Sequence, residues 1–254
     1  MPAEPDAWAA GHRAVAHVFV GVLDDACTVS GDDGHHLARV RRLRVGETIT
    51  AADARGAWRP YEIAAVSGGA LDLVATGAAR PEPRPEPRIA VAFALTKGEK
   101  PERVVAQLTE LGVDRIVPVI ASRSVVRWDD ARRAAAGERF HRVAREAAMQ
   151  SHRAVLPTIA AVAPIASLAG HPALLLAEAG ATAGGPDGLG GAFDIPDGGE
   201  WLVVVGPEGG LAPEEASELG AVGRFAVGPH VLRAETAAIA AAAVLAAIRV
   251  IGPR

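Results

Sequence analysis

Residues 201–236 read WLVVVGPEGGLAPEEASELGAVGRFAVGPHVLRAET, and their order of strand, loop and helix decides the fold class. Trp201 to Val205 is apolar without alternation, as in a strand buried on both faces. Gly206-Pro207-Glu208-Gly209-Gly210 breaks it, and Pro213 opens a helix to Leu219. Phe225 to Val227 is a second short strand. Glu235 and Thr236 then open a closing helix, Ala237 to Val250. Strand, loop and helix repeated in this order build a parallel sheet with helices on both faces.

The same pattern extends upstream. Ala173 to Ala177, Ile116 to Ile120 and Ile89 to Leu95 are further buried strands. Val104, Val105, Leu108 and Leu111 recur at helical spacing between Pro101 and Gly112. Asp129 to Gln150 is a long basic helix, and glycine-rich Ala181 to Gly199 is expected to be a mobile surface loop. The pattern stops at Arg80 to Arg88, RPEPRPEPR, where proline removes donors and enforces extended backbone. Before it, His17 to Leu23, Thr48 to Ala52, Trp58 to Val66 and Ala70 to Ala75 are β-prone runs separated by glycine turns. Asp32 to Leu43 reads as the one helix among them. The expected organisation is a mostly antiparallel small β-barrel (1–80), a proline-rich linker (81–88) and an α/β domain (89–254).

Composition removes several function classes. The chain has 254 residues, half of them apolar, a net charge of −4 and a single cysteine, Cys27. That excludes an internal disulfide and a cysteine-based zinc site. No uncharged apolar run reaches the roughly 18–20 residues of a membrane span, and the acidic start with Glu4 and Asp6 is unlike a secretion signal. A cytoplasmic protein without membrane or metal partners is expected. Charge is uneven: residues 97–153 carry +4 and residues 154–254 carry −6, which permits a polyanion-binding face in the middle.

Three loops leave strand ends in the last third, after Leu176, after Val205 and after Val227. Ligands of open α/β sheets bind beyond the carboxyl ends of strands. The chain has no P-loop, no G-x-G-x-x-G between strand and helix, no H-E-x-x-H and no G-x-S-x-G. His35-His36 are adjacent and point apart, which suits no metal. Chemistry by positioning a bound cofactor against a substrate remains.

VVVGPEGGLAPEE followed by VGPHVLRAETAAIAA resembles the C-terminal signature of the RsmE family of SPOUT methyltransferases, which are 16S ribosomal RNA (uracil-N3) methyltransferases. HHLARVRRLRVGE, LTKGEKPERVVAQLTELGVDRIVPVIASRSVV and REAAMQSHRAVLP agree in the family's order. Met149, His152 (where the family has glycine) and the lack of an arginine near Phe19 depart from it. The resemblance implies a trefoil-knotted α/β domain holding S-adenosylmethionine, a PUA-like N-terminal barrel for RNA, and a homodimer.

On that resemblance, Leu176, Val205 and Leu232 would enclose the adenine, with Gly206, Gly209, Gly210 and Gly228 offering backbone contacts and Pro207, Glu208 and Val227 also binding the cofactor. Arg233, Ala234 and Thr236 would complete the cofactor site, and Glu178 would meet the methionine or ribose part. Glu235 or Glu208 could take the N3 proton, with Arg233 opposite a uracil carbonyl; Glu235 could equally cap the last helix. Arg39, Arg41, Arg42 and Arg44, with Lys97, Lys100, Arg123, Arg127, Arg145 and Arg153, would form the track for the 16S rRNA of the small subunit. The competing readings are a SPOUT enzyme with another RNA target, a non-catalytic RNA-binding or assembly protein, and a dinucleotide-binding enzyme, which lacks its phosphate fingerprint.

Overall fold

The computed structural model describes residues 14–98, 100–126, 128–181 and 199–251. The chain divides into two compact units, one of Met1–Arg84 with Ala148–Leu156, the other of Pro85–Ala147 with Pro157–Arg254. The expected loop at 181–199 lies almost wholly outside the described residues.

The first unit contains β1 (His17–Phe19), β2 (Ala26–Val29), α1 (Gly31–His35), β3 (Thr48–Ala52), β4 (Ala57–Ser67), β5 (Ala70–Ala75) and β6 (Arg80–Pro81). Their sheet runs β1-β3-β4-β5-β2 with β6 on β4. Among the described residues only β1 on β3 is parallel. This mostly antiparallel sheet is the one expected of the small N-terminal β-domain. Gly68 and Gly69, both at positive φ, make the tight β4–β5 turn, which needs left-handed backbone at both positions. Alternation then puts Tyr61, Ile63, Leu71 and Leu73 inside with Val18, Leu37 and Ile49.

The helix expected over 32–43 is α-helical only to His35. A π turn follows at His36–Val40, with the Arg41 amide bonded to the His36 carbonyl. The wider turn keeps Leu37 and Leu43 buried but leaves Val40 64% exposed, so 3.6-residue spacing misplaces that side chain. Ala148–Leu156 joins this unit through Met149 in its core and an Arg55–Val155 bridge. His152 sits at φ 58, which explains why glycine suits that position.

The second unit contains β7 (Arg88–Ala94), α2 (Lys100–Glu110), β8 (Arg115–Ile120), α3 (Asp130–Gln150, its last residues in the first unit), β9 (Thr158–Ile159), β10 (Ala163–Pro164), β11 (Leu174–Ala177), β12 (Glu200–Val205), α4 (Pro213–Glu218), β13 (Gly223–Phe225) and α5 (Ala234–Ile251). All its strand pairs are parallel, in the order β10-β8-β7-β12-β11-β13 with β9 also on β8. β13 starts and ends two residues earlier than the expected strand, and α5 starts three residues before the expected helix. Alternate residues face two cores. Ile89, Val91, Phe93, Val203 and Val205 pack on Val105 and Leu108 of α2, Phe140 of α3 and Ala238, Ala241 and Leu245 of α5. Ala90, Ala92, Leu174, Leu176, Leu202 and Val204 face Ile165, Leu168 and Leu219. Small residues on α5 let that helix lie close to the sheet. Buried Arg249 ties its last turn to Asp114 at 2.8 Å and to the Gly112 carbonyl at 3.1 Å.

Candidate functional site

β12 lies between β7 and β11, and β13 flanks β11, so three loops emerge side by side at the carboxyl edge. They enclose a cavity of about 520 Å³, within the range of small-molecule sites. Leu176, Val204, Val205, Leu211 and Leu232 supply apolar wall, while Gly206 to Gly210 and Gly228 present bare backbone beside it. Apolar faces next to unshielded amide and carbonyl groups suit a flat heteroaromatic base with polar edges.

The glycines here are not equivalent. A Cβ on Gly206 would come within 3.1 Å of the Leu211 side chain, and Gly210 sits at φ +69; both are required by the protein itself. At Gly209 a Cβ would meet only Arg123, at 3.8 Å, and at Gly228 nothing within 4 Å. Protein packing does not demand glycine at those two positions, which leaves their open side to a ligand.

Leu176, Glu178, Val205, Gly206, Pro207, Glu208, Gly209, Gly210, Val227, Gly228, Leu232 and Ala234 all line the cavity, as expected. Arg233 and Thr236 do not; the start of α5 leaves both exposed and off the wall. Ala177, Ala179, Val204, Leu211, His230, Val231 and Ala237 were not expected and do line it. Their signal was adjacency to expected residues in the same loops.

Partners of the lining residues come from distant sequence. Arg224 Nη1 donates to Glu178 Oε2 at 2.7 Å, fixing a carboxylate at the rim. Glu215 Oε1 accepts from the Ser122 amide at 2.7 Å, and its Oε2 accepts from the Ser122 hydroxyl at 2.9 Å and the Ala212 amide at 3.1 Å. Burial alone would raise the Glu215 pKa, but these bonds together with Arg123 hold it below the usual glutamate value. Arg123 Nη1 donates to the Gly209 carbonyl at 3.1 Å. The β8 exit loop thus buttresses the glycine loop.

Lys100 Nζ lies 3.1 Å from Glu235 Oε1 and 3.9 Å from Glu208 Oε1. The Glu235 side chain is only 14% exposed. Burial pushes its pKa up, yet its own amide, Lys100 and Arg233 outweigh that and keep it ionised below the ordinary value. Its Oε2 is buried without a hydrogen-bond partner.

The residues expected to form the RNA track are divided between the two units. Arg39, Arg41, Arg42 and Arg44 are exposed on the turn after α1, although Arg41 Nη2 also donates to the Val15 carbonyl at 2.6 Å. Lys97 and Arg123 are exposed, Arg145 is half-buried and Arg127 lies outside the described residues. Arg153 departs from expectation: it is 9% exposed and offsets the buried Glu82 carboxyl, whose pKa burial raises. Its charge is spent inside the first unit. Among the described residues no helix is long and apolar enough to cross a membrane, and no His/Cys/Asp/Glu group suits a metal ion.

Known proteins resemble the chain over most of its length. Residues 83–246 match a family model described as RNA methyltransferase domain, and residues 29–76 one described as RNA methyltransferase PUA domain. The chain is 35% identical over 240 residues to Ribosomal RNA small subunit methyltransferase E of Mycobacterium bovis, covering 88% of each chain. A Legionella pneumophila protein solved in complex with SAM is 26% identical, with a TM-score of 0.76 over 92% of this chain and 98% of that one. The fold is also that of Ribosomal RNA small subunit methyltransferase E from Neisseria gonorrhoeae, bound to S-adenosyl methionine, at a TM-score of 0.74 and 24% identity over 91% of this chain and 96% of that one.

Proposed function

Because the chain belongs to the ribosomal RNA small subunit methyltransferase E family, we propose that it methylates N3 of a specific uridine in 16S rRNA, using S-adenosylmethionine held in the three-loop cavity. The observation that carries the reading is that cavity, whose backbone-rich and apolar walls suit an adenosine. Leu176, Val205 and Leu232 would enclose the base, and Glu178, steadied by Arg224, would accept from ribose hydroxyls or the methionine ammonium. When bound, the cofactor supplies an electrophilic methyl on a sulfonium.

The residues of the chain must then orient the uracil in line with that methyl and dispose of the N3 proton. Glu235 is ill suited to take it, because an ion-paired carboxylate held below its ordinary pKa is a weak base. Glu208 lines the cavity with a half-exposed carboxylate and is the better acceptor. Arg233, exposed near α5, could stabilise negative charge on a uracil carbonyl only if the RNA comes to it. Positioning therefore carries most of the rate enhancement. The basic turn Arg39–Arg44 supplies phosphate contacts, a knotted chain path and a second copy completing the assembly being part of the same reading. Calorimetry with S-adenosylmethionine tests the cofactor. Mass mapping of rRNA from a strain lacking the gene tests the target: N3-methyluridine should vanish and return on complementation, and its persistence would refute the assignment.

A further inference from the structure

Lys100, Glu208 and Glu235 come from three separate elements: the start of α2, the loop after β12 and the first turn of α5. No other described cation has a salt bridge to either glutamate. Both carboxylates lie within 4 Å of one ammonium, like charges repel each other, and one of the two is largely out of water. A buried, uncompensated carboxylate is costly. One ammonium thus reaches both the β12 loop and α5, and these two elements form walls of the cavity through Gly206–Gly210 and through Ala234 and Ala237.

We infer that Lys100 is a positioning residue for methyl transfer, an ammonium that bridges Glu208 and Glu235 and so sets the cofactor cavity, and not a phosphate contact for RNA. This rests on the cavity being the S-adenosylmethionine site. The bridge leaves Glu235 fully engaged on one oxygen and draws Glu208 toward α5 while keeping it on the cavity wall. Removing the ammonium exposes the glutamates to each other, Arg233 being the remaining cation near Glu235. Either the loop moves away or Glu235 takes up a proton; both disturb the cavity without touching an RNA surface.

The test compares Lys100→Met, Lys100→Arg, Glu235→Gln and the Lys100→Met/Glu235→Gln pair in the full chain, each checked for folding by circular dichroism. S-adenosylmethionine affinity is read by calorimetry and RNA affinity by filter binding over a salt series. Lys100→Met should weaken cofactor binding roughly fivefold or more, given a partly buried partner. Lys100→Arg should restore it, because a cation is all the bridge requires. In the Glu235→Gln background, Lys100→Met should add little, since the repulsion is already gone. RNA salt slopes should match across the set. Unchanged cofactor affinity in Lys100→Met, or a salt slope shallower by about 0.7–0.9 as one lost phosphate contact would give, overturns the inference. If Lys100→Met fails to fold, Lys100→Gln takes its place, and unchanged cofactor affinity in that variant overturns the inference equally. Absence of cofactor binding in the unmodified protein would instead refute the functional reading, and the inference with it.

Discussion

His17 makes the first unit sensitive to acid. The residue is 3% exposed, its Nδ1 lies 2.7 Å from Thr50 Oγ1, and the His152 ring stacks on it with centroids 5.7 Å apart. Burial first, then repulsion from His152, lowers its pKa from 6.5 to about 4. Each pH unit of displacement corresponds to about 1.36 kcal/mol, so the coupling between folding and proton binding amounts to about 3 kcal/mol. The sign follows from which state holds the proton. Between the two values the unfolded chain is protonated at His17 and the folded chain is not, so acid draws the equilibrium toward unfolding. The cost is absent above 6.5, accumulates as the pH falls, and is complete below about 4. Urea titrations across that window, followed by the amide signals of β4 and β5, should show the loss in the unmodified protein. His17→Asn, which cannot titrate but can still bond Thr50, should be less stable at neutral pH and flatter by about 3 kcal/mol across the window. Parallel pH profiles for the two proteins, or a directly titrated His17 pKa near 6.5, would refute the reasoning.

Gly206→Ala should destabilise the second unit by roughly 1–3 kcal/mol, because its Cβ meets Leu211 and overpacking strains a filled site; Gly209→Ala should melt as the unmodified protein does yet weaken S-adenosylmethionine binding. Equal cofactor affinity in Gly209→Ala would remove the backbone contact assigned there. Replacing Arg39 and Arg42 with alanine should shrink the RNA salt slope by roughly 1.4–1.8 and raise KM with little change in kcat; an unchanged slope would make them ordinary surface charge. Val250, on α5, is 82% exposed at the end of a helix that is apolar nearly all round, so a second copy is expected to cover that face, and light scattering at micromolar concentration should read a dimer. A stable monomer would count against a shared assembly.

Much of the molecule can be read from one dimension because it depends on local period. Buried parallel strands such as Trp201–Val205 need continuous apolar runs, and Pro213 opens α4 through its own missing donor. The three loops at the strand ends follow from that alternation, while the cavity residues expected within them came from the family resemblance. The π turn at His36–Val40 does not, because the extra residue per turn is chosen by how Leu37 and Leu43 fit the core. Which glycines are obligatory was also illegible: GPEGG reads the same at each position, while Leu211 and the φ of Gly210 decide between them. The ion pairs lie furthest from the sequence. Lys100 and Arg153 look like two more surface cations in a basic stretch, and only the fold brings Glu235 to the first and buries the second beside Glu82. Charge is fixed by residue type, but what a charge faces is fixed by chain segments as far as 162 positions away, as for Arg249 and the Pro87 carbonyl.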